Sequence, residues 1–247
     1  MAAPRRCWKI WTRSSPLVER IDTGLEQPAN EAEWLQQRLC GIGASEASAI
    51  IGKNPYMTNQ QLWYYKTQRR QPEDISGKAC VRYGHEAEAP IRELFALDHP
   101  EYTVQYGGAF DMVHHPQYPW LFATLDGRLL DKEGRRGIYE GKTTEILRSL
   151  QMEKWTYTDE AGHRQGRVPD NYYVQILHQL LATGWDFAVL NCRFKRFYRD
   201  GSRAETRCYR FERADLLDDL NYLLQAEIAF WGYVQSDTLP DLILPSI

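Results

Sequence analysis

Three side chains able to handle a metal ion and a water lie close together in this chain: Asp126, Glu140 and Lys142. Asp126 follows the apolar run Trp120 to Leu125, and Glu140 and Lys142 lie on a second short run, Ile138 to Thr143. Residues i and i+2 of a strand point to the same face, so Glu140 and Lys142 share one. A preceding antiparallel strand brings Asp126 beside them. Two carboxylates and an ammonium then converge. Carboxylate oxygens suit a hard divalent ion such as Mg²⁺, and an ammonium beside the ion can position or deprotonate a water. The same letters also fit an Asp-Gly turn followed by a solvated strand face, and Glu-x-Lys recurs by chance. Taken alone, the trio leaves both readings open.

Such a trio works only if the rest of the chain positions it. The length of 247 residues fits one domain, placed at 31–247, with an extended arm over 1–30 where Ser14-Ser15-Pro16 and Gln27-Pro28 break any periodicity. Hydrophobic residues make up 43%, enough for a substantial core. The net charge of −3 gives no pointer to a polyanion, so a nucleic-acid reading must rest on local basic patches. Five cysteines, an odd number without a Cys-x-x-Cys pair, argue against a disulfide framework or a zinc site. Reduced cysteines predict a cytoplasmic protein. No apolar run reaches membrane-span length, and Met1 to Thr12 lacks the apolar core of a signal peptide.

Glu31 to Leu39 reads as a helix carrying Arg38 on its last turn. Gly41-Ile-Gly-Ala-Ser45 follows, with Ser45 as the expected N-cap of a helix from Glu46 to Gly52. A glycine-rich loop at a helix start can also take a phosphate through its amides. Thr58 caps a helix to about Gln68, and a longer helix spans Lys78 to Leu97, where Pro90 predicts a kink. Glu88 on that helix is either solvent-facing or part of a site. Gly107-Gly108, between Tyr102–Tyr106 and Ala109–Val113, predicts a hairpin turn. His114 and His115 belong to a connecting loop, because adjacent side chains on an extended chain point apart. Trp120–Leu125, Arg128–Leu130 and Arg136–Thr143 then complete a meander, and 149–168 reads as a long polar loop. A helix from Pro169-Asp170 to Thr183 places Tyr172 and Gln175 on one face. Strands Asp186–Phe197 and Glu205–Phe211 flank the turn Arg199–Ser202; Arg193, Lys195, Phe197 and Arg199 line one side of the first, as on a solvated edge strand. A helix from Ala214 to about Val234 closes the order. That order is α+β, with a mixed central sheet flanked by helices.

An ordered set of short motifs resembles the phage-lambda-exonuclease-like, YqaJ-type viral recombinase family of the PD-(D/E)XK nuclease superfamily. The set is Trp34, Arg38, Gly41-Ile-Gly-Ala-Ser45, Asn54-Pro-Tyr56, Leu62-Trp63, Tyr83-Gly-His-Glu-Ala-Glu88, His115-Pro-Gln-Tyr-Pro-Trp120, Ala123-Thr-Leu-Asp126-Gly, Tyr139-Glu-Gly-Lys142 and Tyr172-Tyr-Val-Gln175-Ile-Leu-His178-Gln179. The resemblance implies a PD-(D/E)XK core in which Asp126 and Glu140 bind metal, with the Gly141 carbonyl as a backbone ligand and Glu88 assisting. It implies that Lys142 orients or activates the water, that Gln175 and Tyr172 support the metal site, and that Arg38 and Ser45 grip a 5′-terminal phosphate. It further implies a Mg²⁺-dependent 5′→3′ exonuclease on ends of double-stranded DNA, with Mn²⁺ substituting. A homotrimeric ring and a single-strand annealing protein as partner complete the expectation, in the cytoplasm of a bacterium or a phage-infected host. The family usually has proline before the aspartate, where this chain has Leu125. An endonuclease or nickase with the same core, or a catalytically silent DNA-binding accessory module, are the rival readings.

Overall fold

The computed structural model describes residues 27–146, 149–158, 160–198 and 201–245. The arm expected over 1–30 therefore lies outside them up to residue 26, and so do residues 199 and 200 of the expected turn. In chain order the elements are α1 (Glu31–Leu39), β1 (Ile42–Gly43), α2 (Ala44–Ile50), α3 (Asn59–Lys66), α4 (Ala79–Asp98), β2 (Thr103–Gln105), β3 (Met112–His114), β4 (Leu121–Thr124), β5 (Gly127–Leu130) and β6 (Arg136–Ile146). They continue with α5 (Ser149–Glu153), β7 (Thr156–Thr158), β8 (Arg164–Gly166), α6 (Asp170–Thr183), β9 (Phe187–Tyr198), β10 (Gly201–Glu212) and α7 (Leu217–Gln235).

The central sheet has the strand order β10-β9-β6-β5-β2. Its β6 pairs parallel with β9 and antiparallel with β5, so the sheet is mixed. A second, smaller sheet has the order β1-β4-β3, with β1 parallel to β4. Between the layers runs α6, packed on α2, α7, β4 and the central sheet. Nearly all of its side chains from Val174 onward are buried, which is why polar residues stand among apolar ones on it. Gly184, at φ +66°, ends the helix in the left-handed conformation that glycine adopts without steric cost. Along β6 the side chains alternate: Ile138 joins the α6-side core, whereas Tyr139 packs with Phe95, Phe187 and Val189 on the α4 side.

Several expected elements take a different form. Gly107-Gly108 does not close a hairpin, because β2 pairs with β5 and β3 with β4 in separate sheets. Asp111 lies buried beside Gly107, and its carboxylate accepts two bonds from Arg128 of β5 at 2.8 and 2.5 Å. The meander is broken as well: β4 and β5 are consecutive but unpaired, and the chain changes sheet at Leu125-Asp126. Ser45 is not the N-cap of α2; Gly43 is, and Ser45 sits exposed inside the first turn. α4 continues through Pro90, which is exposed on the helix, as is Glu86 one turn before it, whose freed carbonyl water can satisfy. The segment 149–168 contains α5 and the β7–β8 hairpin rather than an unstructured loop. The basic strand β9 is internal, flanked by β6 and β10, rather than an edge.

Candidate active site at the crossing of the two sheets

Glu140 lies near the middle of β6, paired on one side to Leu190 of β9, and its side chain is only 2% exposed. A carboxylate so deep needs donors. It has three. Lys142 donates to Oε1, Gln175 Nε2 donates to Oε1 at 2.6 Å, and Gln179 Nε2 donates to Oε2 at 2.5 Å. An ionised carboxylate offers about four lone-pair sites. Among the described residues, one therefore stays open on Oε2. Lys142 follows from the two-residue strand period, and the glutamines, four apart, from the helical period of α6.

Asp126 reaches the same spot from the sheet crossing. The β5–β6 pairing ends at Gly127 opposite Tyr139, and past it the Gly141 N–H has no strand partner on that side. The Asp126 carboxylate takes that N–H at 2.9 Å, so a side chain continues the ladder where the strand stops. Arg92 of α4 holds the Asp126 carbonyl at 2.9 Å and lies 3.6 Å from the Glu88 carboxylate. The Arg92 guanidinium also covers the Tyr106 ring at 3.8 Å.

The charges are unbalanced. Burial, then the Glu140 charge and more weakly Glu88, outweigh the Lys142 ammonium and the Gly141 N–H, and push the Asp126 carboxyl up to about 8. Burial works against the Lys142 charge, yet Glu140 and Asp126 together hold the ammonium above its ordinary range. Lys142 therefore stays protonated at neutral pH; it can orient a water and donate to it, but is no general base as it stands. Crowded carboxylates of this kind are what a hard cation relieves, and the donors fit one: Asp126, the open lone pair of Glu140 and the Gly141 carbonyl. Among the described residues no three Asp, Glu, His or Cys side chains converge on a single ion position. The Glu88 carboxylate lies on the same helix as Arg92, one turn before it and 3.6 Å from its guanidinium. Tyr172 stands at the rim, its ring 5.8 Å from Lys142 Nζ and 5.5 Å from the Trp155 ring.

Arg38 and Ser45 belong to a second place, the start of α2, where Ser45 is exposed in the first turn. Arg38 packs 4.7 Å over the Trp34 ring and lies 3.8 Å from Glu46, the residue after Ser45. Glu46 also accepts from Lys66 at 2.7 Å and from the Gly43 N–H at 2.9 Å. The loop amide expected to receive a phosphate is thus taken by a carboxylate of the chain itself. Lys66 is buried and bonds the Arg38 carbonyl at 2.8 Å. Burial opposes the Glu46 charge, but Lys66 and Arg38 outweigh it and lower its pKa. Counting Arg38, Lys66 and Glu46, the cluster keeps one net positive charge. His114 and His115 brace their loop: His114 Nδ1 pairs with the Pro119 carbonyl at 2.8 Å, and His115 Nδ1 accepts from the Gln117 and Tyr118 amides.

The sequence reading missed Gln179, Arg92, Glu46 and Lys66. Gln179 and Arg92 each lie four residues after a flagged residue, Gln175 and Glu88, a spacing that places neighbours on one helical face. The Glu46–Lys66 pair carries no such local signal.

Comparison with known proteins fits this geometry. The alkaline exonuclease LHK-Exo of Laribacter hongkongensis superimposes with a TM-score of 0.59 at 21% identity, over 83% of this chain and 93% of that one. Its complex with dAMP gives 0.56 at 20% identity over the same shares. The likeness shows a common α+β fold. The uncharacterized protein YqaJ of Bacillus subtilis (strain 168) is 30% identical over 205 residues, which are 81% of this chain and 55% of that protein, so the chain spans little more than half of its relative. Residues 33–186 match the YqaJ-like viral recombinase domain. That span holds every side chain of both clusters, from Arg38 to Gln179, and on this evidence the chain belongs to the YqaJ-like viral recombinase domain family.

Proposed function

We propose that this chain is a Mg²⁺-dependent exonuclease that degrades one strand of linear double-stranded DNA from its 5′ end. The observation that carries the reading is the convergence of Lys142, Gln175 and Gln179 on the buried Glu140 carboxylate, with the Asp126 carboxylate on the adjoining Gly141 N–H. Family membership and a fold shared with a protein named an alkaline exonuclease support it. Asp126, Glu140 and the Gly141 carbonyl would hold the ion, with Mn²⁺ able to substitute and Glu88 assisting through water. When bound, Mg²⁺ would supply Lewis acidity that lowers the pKa of a water and offsets the negative charge developing on the phosphoryl oxygens. Lys142, fixed by Glu140, orients that water. Gln175 and Gln179 keep the Glu140 carboxylate from turning away. Arg38 and Ser45 take the terminal phosphate, with Lys66 cancelling the charge of Glu46.

As a homotrimeric ring the protein would hold its DNA track by topology, so a net charge of −3 is no obstacle. A single-strand annealing protein is the partner such an enzyme would serve. Digestion of linear and circular duplex, with and without a 5′-phosphate, is the deciding experiment. Linear DNA should be consumed and circles left intact. One observation favours a second reading, an endonuclease or nickase of the same core: Glu46 already occupies the Gly43 amide that a terminal phosphate would use. Nicking of the circle would establish that reading instead.

A further inference from the structure

Tyr56 is 89% exposed, more than any other large apolar or aromatic side chain among the described residues. Single exposed aromatics are ordinary on protein surfaces, so exposure alone says little. The turn beneath it is more telling. The buried Asn54 side chain accepts the Tyr56 N–H at 2.9 Å, and Pro55 restricts the backbone between them. The Lys53 N–H donates to the Ser48 carbonyl of α2 at 2.7 Å, while the Lys53 ammonium bonds Asp170 at the start of α6 across 2.8 Å. Met57, on the far side, packs against the Trp63 cluster. The Tyr56 ring thus stands in water on a pinned pedestal.

The pedestal is tied at both ends to the candidate site. One tie is α2, which begins at the Ser45–Glu46–Arg38 cluster. The other is Asp170, two residues before Tyr172, whose ring faces Lys142. An aromatic face whose support is tied to both the candidate phosphate grip and the candidate hydrolytic centre can meet a base of the strand bound there. Stacking on a ring is sequence-tolerant, because every base has a π-face. That is the form of contact an enzyme consuming any sequence requires.

We propose that Tyr56 is a stacking residue that holds the base of the nucleotide entering the site. The proposal rests on the nuclease reading and adds to it a contact made by the ring rather than by its hydroxyl. The test uses the full chain with duplexes carrying 2-aminopurine at successive positions from a 5′-phosphorylated end. In EDTA, where nothing is cut, binding should quench the fluorophore most strongly at one of these positions. Tyr56→Ala should lose that quenching and bind ends roughly ten- to a hundredfold more weakly. Tyr56→Phe and Tyr56→Trp should keep both. With Mg²⁺ added, Tyr56→Ala should raise KM while leaving kcat close to that of the unaltered protein. An alanine variant with full quenching and affinity overturns the stacking assignment and leaves the nuclease reading intact. Binding by the unaltered chain without any Mg²⁺-dependent nucleotide release overturns the nuclease reading, whatever Tyr56 does.

Discussion

At the scale of single residues, the site is a problem of surplus negative charge solved by placement. Among the described residues Lys142 is the one cation bonded directly to Glu140, and it has the strand geometry to stay there. Lys142→Ala should reduce nucleotide release from linear duplex by about a hundredfold or more, with the circular dichroism spectrum unchanged. Wild-type-like degradation by this variant would remove the proposed mechanism. Gln179 makes a quieter prediction. Its amide is the only donor that the structure shows on Glu140 Oε2 among the described residues, so Gln179→Leu leaves a buried carboxylate oxygen unsatisfied. Thermal denaturation should show a loss of about 1–3 kcal/mol, and the Mg²⁺ requirement should rise. Arg38→Ala should abolish preference for a 5′-phosphate over a 5′-hydroxyl in a competition assay, and should change little if the enzyme cuts internally.

At the scale of elements, α6 joins the Glu140 cluster to the core through neighbouring side chains that face opposite ways. Gln179 turns to β6, while His178 turns to β4 and α7, giving Nε2–H to the Phe122 carbonyl at 2.8 Å and meeting Glu227 through Nδ1 at 2.6 Å. Because a carbonyl only accepts, Nε2 carries a proton, and the His178–Glu227 pair holds one further proton between them. Burial disfavours the imidazolium, but Glu227 outweighs it and raises His178 above 6.5. A raised folded-state pKa means that the folded protein binds more protons, so this contribution to stability is full below pH 6.5 and declines as pH climbs toward the folded value. Denaturant melts across that range should show the slope, and Glu227→Gln should flatten it. The Glu46–Lys66 pair ties α2 to α3 in the same manner. Lys66→Met strands Glu46 and should cost about 3–5 kcal/mol, measured against the double variant with Glu46→Gln, which should recover part of the loss.

At the scale of the whole molecule, function depends on topology twice over. The mixed sheet sets Glu140 and Lys142 on its α6 side, and the passage of the chain from the small sheet to the central one delivers Asp126 to the end of that strand. If the protein assembles as a ring, sedimentation should report a trimer, and degradation of long linear DNA should persist when excess competitor DNA is added after loading. A monomer that dissociates after each cut would contradict the ring. Among the described residues no helix is long and apolar enough to cross a membrane.

The local part of the site was legible from its letters. Glu140 and Lys142 share a face because strands repeat every two residues, Tyr172 and Gln175 share one because helices repeat near 3.6, and the motif order from Trp34 to Gln179 pointed to the family. Propensity also placed α1, α3 and α6 within a residue or two of their observed bounds. The pairing of distant segments lay beyond that reading. Gly107-Gly108 has the letters of a hairpin, yet β2 and β3 enter separate sheets, and Asp111 between them pairs with Arg128 of β5. Ser45 has the letters of a cap, yet Glu46 takes the Gly43 amide because Lys66 and Arg38, from two other helices, neutralise it there. Such choices depend on which charges meet after folding, and a carboxylate's partner is fixed by distance in space rather than by spacing in sequence. The sequence by itself determined which residues could do the chemistry. Only the tertiary structure decided that Asp126 reaches Glu140 by crossing between sheets, that Gln179 completes the support of Glu140, and that Glu88 answers to Arg92.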